Sequence, residues 1–197
     1  MILYLCIIVA CLFGFSGLNA YILGHSYWYV VGWMGGGIVA IILIDAIVAS
    51  LCRLSPAKWY RHDLKVYTVG RKEKNFYEKL HIRKWKDILP EIGHFTGFRK
   101  NKLDDPKSSE YVKRFLLESC YGVGGHFWSC IIGFILMIPY PFTPGGWWLI
   151  SLPVCVVNVI LNLLTLFVLR YNSYKLEILY KSNLKREQRL KAQEASV

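Results

Sequence analysis

No lysine or arginine precedes Arg53, and none lies between Arg114 and Arg170. Before Asp63 the sole acid is Asp45. A soluble domain spreads its charges along the chain, so these gaps exclude an ordinary soluble fold over those stretches. The six cysteines form no C-x-x-C pair, and all lie in or beside apolar runs. They read as small packing residues, and neither a metal centre nor a disulfide framework is expected. No internal repeat is present. Nothing beyond basic charge points to nucleic acid, so no nucleic-acid partner is expected.

What fills the gaps is apolar. Of 197 residues, 54% are hydrophobic, and the excess is gathered into four runs. Ile2–Leu23 carries no charge, Val30–Cys52 carries Asp45 alone, and Trp147–Leu169 carries none. Each is long enough for the ~20 residues that cross a bilayer core of ~30 Å. The fourth run, His126–Phe142, is shorter and ends in Pro139-Tyr140-Pro141, so its span is expected to begin earlier or to tilt. The fold class expected is an all-α integral membrane protein with four transmembrane helices arranged as two hairpins. A cleaved signal peptide is the other reading of the first run, against which stands its lack of a basic start.

All 24 basic residues fall in two blocks, 17 in 53–114 and seven in 170–191, and the net charge is +11. The positive-inside rule then puts the central loop, the tail and both termini in the cytoplasm of a multi-pass cell-membrane protein. The expected organisation is hairpin 1–52, basic loop 53–125, hairpin 126–169 and basic tail 170–197. The outer turns, Gly24–Tyr29 and 139–146, are aromatic or Pro/Gly-rich and too short for a catalytic domain, so chemistry with soluble substrates belongs on the cytoplasmic side. A basic face there attracts anionic inner-leaflet lipids and phosphate-bearing acyl donors.

Within the loop, YEKLHIRKWKDILPE (Tyr77–Glu91) is the densest mixture of charge and aromatic residues. At 100° per residue Tyr77, Leu80, His81, Trp85, Ile88 and Leu89 share one arc, as in an amphipathic helix lying at the interface. Pro90 is expected to end it. Arg83 and Asp87 stand one turn apart and are placed to pair. His81 and Asp87 do not have the H-x4-D spacing of soluble-faced glycerolipid acyltransferases. Further on, a helix is expected to start at Ser108 or Ser109 after Pro106, with serine as its cap. If it runs through Gly122, Gly124 and Gly125, then Glu118, Gly122 and His126 share a face; if not, the glycines are a hinge. A histidine with a carboxylate partner is the minimum set for deprotonating a hydroxyl, although both side chains could equally reach water and do nothing. Cys120 is a further candidate, as an acyl-carrying nucleophile. Asp45 should face the bundle or water. Asn158, Asn162 and Thr165 form a stripe that suits hydrogen bonding between helices or the lining of a polar cleft.

IRKWKDILPE (82–91), E-x7-H-x-W from Glu118 through His126 to Trp128, and RYN-x3-L from Arg170 to Leu176 occur in this order. Together they resemble the glycosyl-4,4′-diaponeurosporenoate acyltransferase family over roughly residues 70–185. In carotenoid pathways such as that of staphyloxanthin, this family attaches a fatty acyl chain to the sugar hydroxyl of a membrane glycolipid. The resemblance implies a small membrane acyltransferase acting at the inner leaflet. Its co-substrates would be a glycolipid acceptor and an acyl donor such as acyl-CoA or acyl-carrier protein, with no cofactor and no metal. The motif residues are Arg83, Lys84, Trp85, Lys86, Asp87, Glu118, His126, Arg170 and Asn172. Expected roles are His126 as base, Glu118 or Asp87 orienting it, and Arg83, Lys86 and Arg170 holding donor phosphates or an oxyanion. Where the family pattern has an acid between the glutamate and the histidine, this chain has Gly122-Val123. A homo-oligomer is compatible with this reading. The main rival is a non-enzymatic scaffold or lipid-binding protein recruiting a partner through its basic face. A small transporter using Asp45 and the asparagine stripe is a third.

Overall fold

The computed structural model describes residues 2–89, 103–137 and 147–195, and among the described residues helices joined by turns are found and no strand. Six α-helices follow in order: α1 (Ile2–Leu23), α2 (Tyr27–Leu54), α3 (Arg71–Lys79), α4 (Ile82–Trp85), α5 (Ser109–Ile132) and α6 (Leu152–Glu194). Among the described residues, two helices are long and apolar enough to cross a membrane, Tyr27–Leu54 and Trp148–Glu194. The expected outer turn at 139–146 and the expected stop at Pro90 lie outside the described residues. The chain divides into two compact units, Met1–Cys52 with Gly125–Leu164, and Arg53–Gly124 with Thr165–Val197.

In the first unit, α1 and α2 are joined by a turn at Gly24, whose φ of +68° is the left-handed conformation that glycine adopts without penalty at a helix end. Ala20, Val30, Met34 and Ile150 form one buried cluster, and Ile41, Val154 and Cys155 another. Polar side chains are buried among them. Ser16 Oγ lies 3.4 Å from the Met34 sulfur, and Asn19 donates to the Leu149 carbonyl. In a lipid-facing bundle such bonds substitute for water.

In the second unit, the Tyr77–Glu91 stretch is not one helix. α3 ends at Lys79, and His81 takes a left-handed backbone (φ 53°, ψ 36°) before α4 begins. The reason lies at Ile82. In a continuous helix Ile82 would sit about 140° from Tyr77, off the apolar arc. The break lets both residues bury against Val168 and Tyr171 in one cluster, with Ile82 and Tyr171 fully enclosed. The Trp85 indole N–H donates to the Leu80 carbonyl at 2.9 Å, covering an acceptor that the break frees.

α5 begins as its sequence suggests. Ser108 Oγ accepts the Tyr111 N–H at 3.1 Å, three residues on, as an N-cap does. Glu187 then accepts from the Ser109 amide (2.9 Å) and hydroxyl (2.6 Å). The helix continues unbroken through the glycines. They serve close packing: a Cβ on Gly124 would lie 2.7 Å from a ring carbon of Tyr60, and one on Gly122 would lie 2.8 Å from a Leu169 methyl. Leu169 has a flexible tip that can move. The Tyr60 ring is held between Tyr67 and Tyr121. Gly124→Ala should therefore destabilise the protein by about 1–3 kcal/mol, the usual cost of overpacking. Gly122→Ala should cost less. Thermal unfolding of the two purified variants checks the ranking.

Candidate functional site

The partners of the motif residues differ from those expected. In the first unit, His126 does not meet Glu118. Eight residues separate them on α5, which is ~12 Å along the axis. The partner of His126 is Asn162, whose Oδ1 lies 2.7 Å from His126 Nδ1. The Asn162 amide nitrogen faces only acceptors: Asp45 Oδ2 at 3.0 Å, Asn158 Oδ1 at 2.8 Å and the Asn158 carbonyl at 3.1 Å. Asn158 is fixed in turn by donating to the Ser129 carbonyl at 3.2 Å. Glycine at 133 admits this amide, since a Cβ there would stand 2.5 Å from Asn158 Nδ2.

These contacts favour one tautomer. Asn162 presents its oxygen to the imidazole, so His126 Nδ1 carries the proton and donates it. The neutral ring then has its lone pair on Nε2, the form a general base needs. A carboxylate does reach His126 at one remove, and it is Asp45. Glu118 and Asp87 have other partners.

Glu118 belongs to the second unit, where Arg53 Nη1 lies 2.9 Å from its Oε2. That distance makes an ion pair. The angles fall outside hydrogen-bonding geometry, since the same Oε2 is buried without a hydrogen-bond partner. The distance is the better guide to attraction between full charges, and Glu118 reads as a neutralised carboxylate with spare acceptor capacity. Asp87 is exposed, and its nearest cation is Lys86 at 3.9 Å. The expected Arg83–Asp87 pair is replaced by Arg83 on Glu78 (2.8 Å) and on the Tyr171 hydroxyl (2.7 Å). The helix break turns Arg83 away from the following turn and towards α6.

Arg170 is already fully engaged. Its Nε and Nη2 bind the two oxygens of Glu73, and Nη1 donates to the Val66 carbonyl at 2.6 Å. Tyr77 donates to the same carboxylate at 2.5 Å. Burial by itself would raise the Glu73 carboxyl, but the hydrogen bonds of Arg170 and Tyr77 with the Arg170 charge outweigh it and hold it below its ordinary range. This is an anchor between the loop and α6, not a vacant phosphate cradle. Arg83 and Lys84 are exposed, Lys86, Trp85 and Asn172 partly so.

One pair escaped the sequence reading. His62 Nδ1 lies 2.9 Å from Glu177 Oε2, beside a cavity that Cys120, Thr68 and Ser173 also line. At a sequence separation of 115, no local spacing signals it. The cavity measures ≈20 Å³, room for about one water, and admits no sugar or acyl chain. The Cys120 thiol in its wall is pushed up to about 12 by burial, so it stays protonated and is a poor nucleophile. The acyl-carrying role for Cys120 loses its support. Among the described residues no cluster of metal-ligand type occurs.

No curated protein and no solved structure matches the chain. A family model does, over residues 56–182, which takes in His126, Asn162, Glu118, Arg83 and Arg170. The match covers well over half of the 197 residues, and the chain accordingly belongs to the glycosyl-4,4′-diaponeurosporenoate acyltransferase family.

Proposed function

We propose that the protein esterifies a hydroxyl of a membrane glycolipid with a fatty acyl chain at the inner leaflet, with His126 as general base. The observation that carries this reading is the hydrogen-bonded chain from Asp45 through Asn162 to His126, which leaves Nε2 as the free lone pair. Family membership supplies the reaction class. His126 Nε2 takes the proton of the sugar hydroxyl as the oxygen attacks the acyl carbonyl of a thioester donor. The C–O ester bond forms, the C–S bond breaks, and the departing thiolate takes the proton back from His126 and leaves as the thiol. The acceptor reaches a span-borne histidine laterally from the bilayer, where a lipid-linked sugar already resides. The donor is soluble and anionic, and the exposed Lys84 with Lys86 suits its phosphates through charge-assisted hydrogen bonds, Arg83 adding only the nitrogen that Tyr171 and Glu78 leave over. Arg170 is left out of that set because Glu73 and Val66 occupy its guanidinium. The basic loop and tail face the cytoplasm in this arrangement, and both apolar hairpins cross the membrane.

The test is chemical. Membranes containing the protein are supplied with a glycolipid acceptor and an acyl thioester, and the lipids are extracted for mass spectrometry. An ester heavier than the acceptor by one acyl group, absent from membranes without the protein, is the expected product. Free fatty acid alone, or no product with any glycolipid acceptor, would overturn the assignment.

A further inference from the structure

We infer that Asp45 is a positioning residue for the reaction: through Asn162 it fixes His126 in the tautomer that can act as a base. This rests on the role given to His126 above. Family membership does not assign it, because Asp45 lies outside the matched residues 56–182. An amide side chain can be turned end for end, and the neighbours decide which way it stands. Asn162 has three oxygen neighbours at its nitrogen end, of which Asp45 Oδ2 is the only one that belongs to an ionisable group. Hydrogen bonds to ionised groups are about twice as strong as neutral ones, so Asp45 is the strongest of the three anchors.

The second carboxylate oxygen points the same way. Among the described residues, buried Asp45 Oδ1 has no hydrogen-bond partner. A carboxylate in an apolar segment is costly, and this one is satisfied at one oxygen only, by Asn162. Leucine or alanine at 45 would avoid that cost altogether. A structural bond between helices does not require a charge, and a charged acceptor adds the strongest hold on the direction of the amide, beside the neutral Asn158 carbonyl. With asparagine at 45, the new side chain offers either a donor or an acceptor to Asn162. The amide can then stand reversed, with Nδ2 towards His126. The imidazole would have to accept at Nδ1 and carry its proton on Nε2, which removes the base.

The experiment reads the tautomer directly. The full-length protein, labelled with 15N in its histidine rings and held in lipid nanodiscs, is measured by solid-state NMR, with His126 assigned by its loss in His126→Gln. Wild type should show a protonated Nδ1 and an unprotonated Nε2. Asp45→Asn should show a mixture of the two tautomers, and kcat should fall by about 10- to 100-fold, the range that outer partners of an oriented histidine command, with little change in KM. A proton on Nε2 in wild type would overturn the inference without any variant having to fold. So would an Asp45→Asn spectrum identical to wild type. If the tautomers behave as stated but His126→Ala retains full acyl transfer, the positioning holds and the catalytic role of His126 fails, so the two ideas are separable.

Discussion

Replacing His126 with alanine should lower the rate of acyl transfer by about 10²- to 10⁴-fold, the usual contribution of a positioned general base. The loss should appear in kcat, because the imidazole acts on a proton that moves in the transition state and contributes little to holding the ground state. His126→Gln is the companion variant, since it keeps a polar side chain that can donate to Asn162 Oδ1. It should preserve folding and yet be nearly as slow as alanine, because an amide accepts no proton at neutral pH. Initial rates with a defined glycolipid and acyl thioester, at matched amounts of folded protein, measure both. The scaffold reading predicts the reverse: His126 would be dispensable, and combined loss of loop lysines and arginines would weaken membrane or partner binding in a salt-dependent way. A fall of less than about threefold in both histidine variants would remove His126 from the chemistry, as it is far below what losing a base costs.

The parts of this site differ in how far the chain announces them. The start of α5 is local chemistry: Pro106, then a serine whose hydroxyl reaches the amide three residues on. Whether α5 runs through Gly122, Gly124 and Gly125 is not local. Each glycine costs a helix about 1 kcal/mol, and the return comes from what the missing side chains admit, Tyr60 at Gly124 and Leu169 at Gly122. The break at His81 was hidden for a related reason. Periodicity gathers an apolar arc that leaves Ile82 among the charges, and only the pocket made by Val168 and Tyr171 shows that Ile82 must be buried. Asp45, Asn162 and His126 each stand out as polar residues in apolar surroundings. Their separations of 117 and 36 residues carry no spacing rule, so the sequence suggests Glu118, near in number, as the partner, whereas the hydrogen bond of His126 goes to Asn162. Arg170 and Arg83 were legible as charges that matter and illegible as to which charges they meet.

Replacing Arg170 with alanine should destabilise the protein by about 2–4 kcal/mol. Removing one member of a fully buried ion pair costs about 3–5 kcal/mol, because the other charge is left without its partner. Here the pair is less enclosed, with side-chain exposures of 15% for Arg170 and 29% for Glu73, so solvent recovers part of that. Three interactions go at once, two to Glu73 and one to the Val66 carbonyl, while Tyr77 remains as the donor to the stranded carboxylate. Arg170→Lys should restore little, as one ammonium cannot reproduce the fork that spans both carboxylate oxygens and a carbonyl. Thermal unfolding in detergent reads the loss. A donor-phosphate role for Arg170 predicts the opposite signature, an unchanged unfolding midpoint with a raised KM for the acyl donor, and that outcome would refute the anchor. The pH dependence adds an independent check. Glu73 is depressed in the folded protein, so its contribution is complete above the ordinary carboxylate range and is lost as pH falls through the lowered folded value. The stability gap between wild type and Arg170→Ala should be full near neutrality and shrink as the pH is taken down through that value, because protonated Glu73 has no charge left for Arg170 to neutralise. A gap of constant size down to acid pH would mean that the packing of the Arg170 stem, and not its charge, holds the loop to α6.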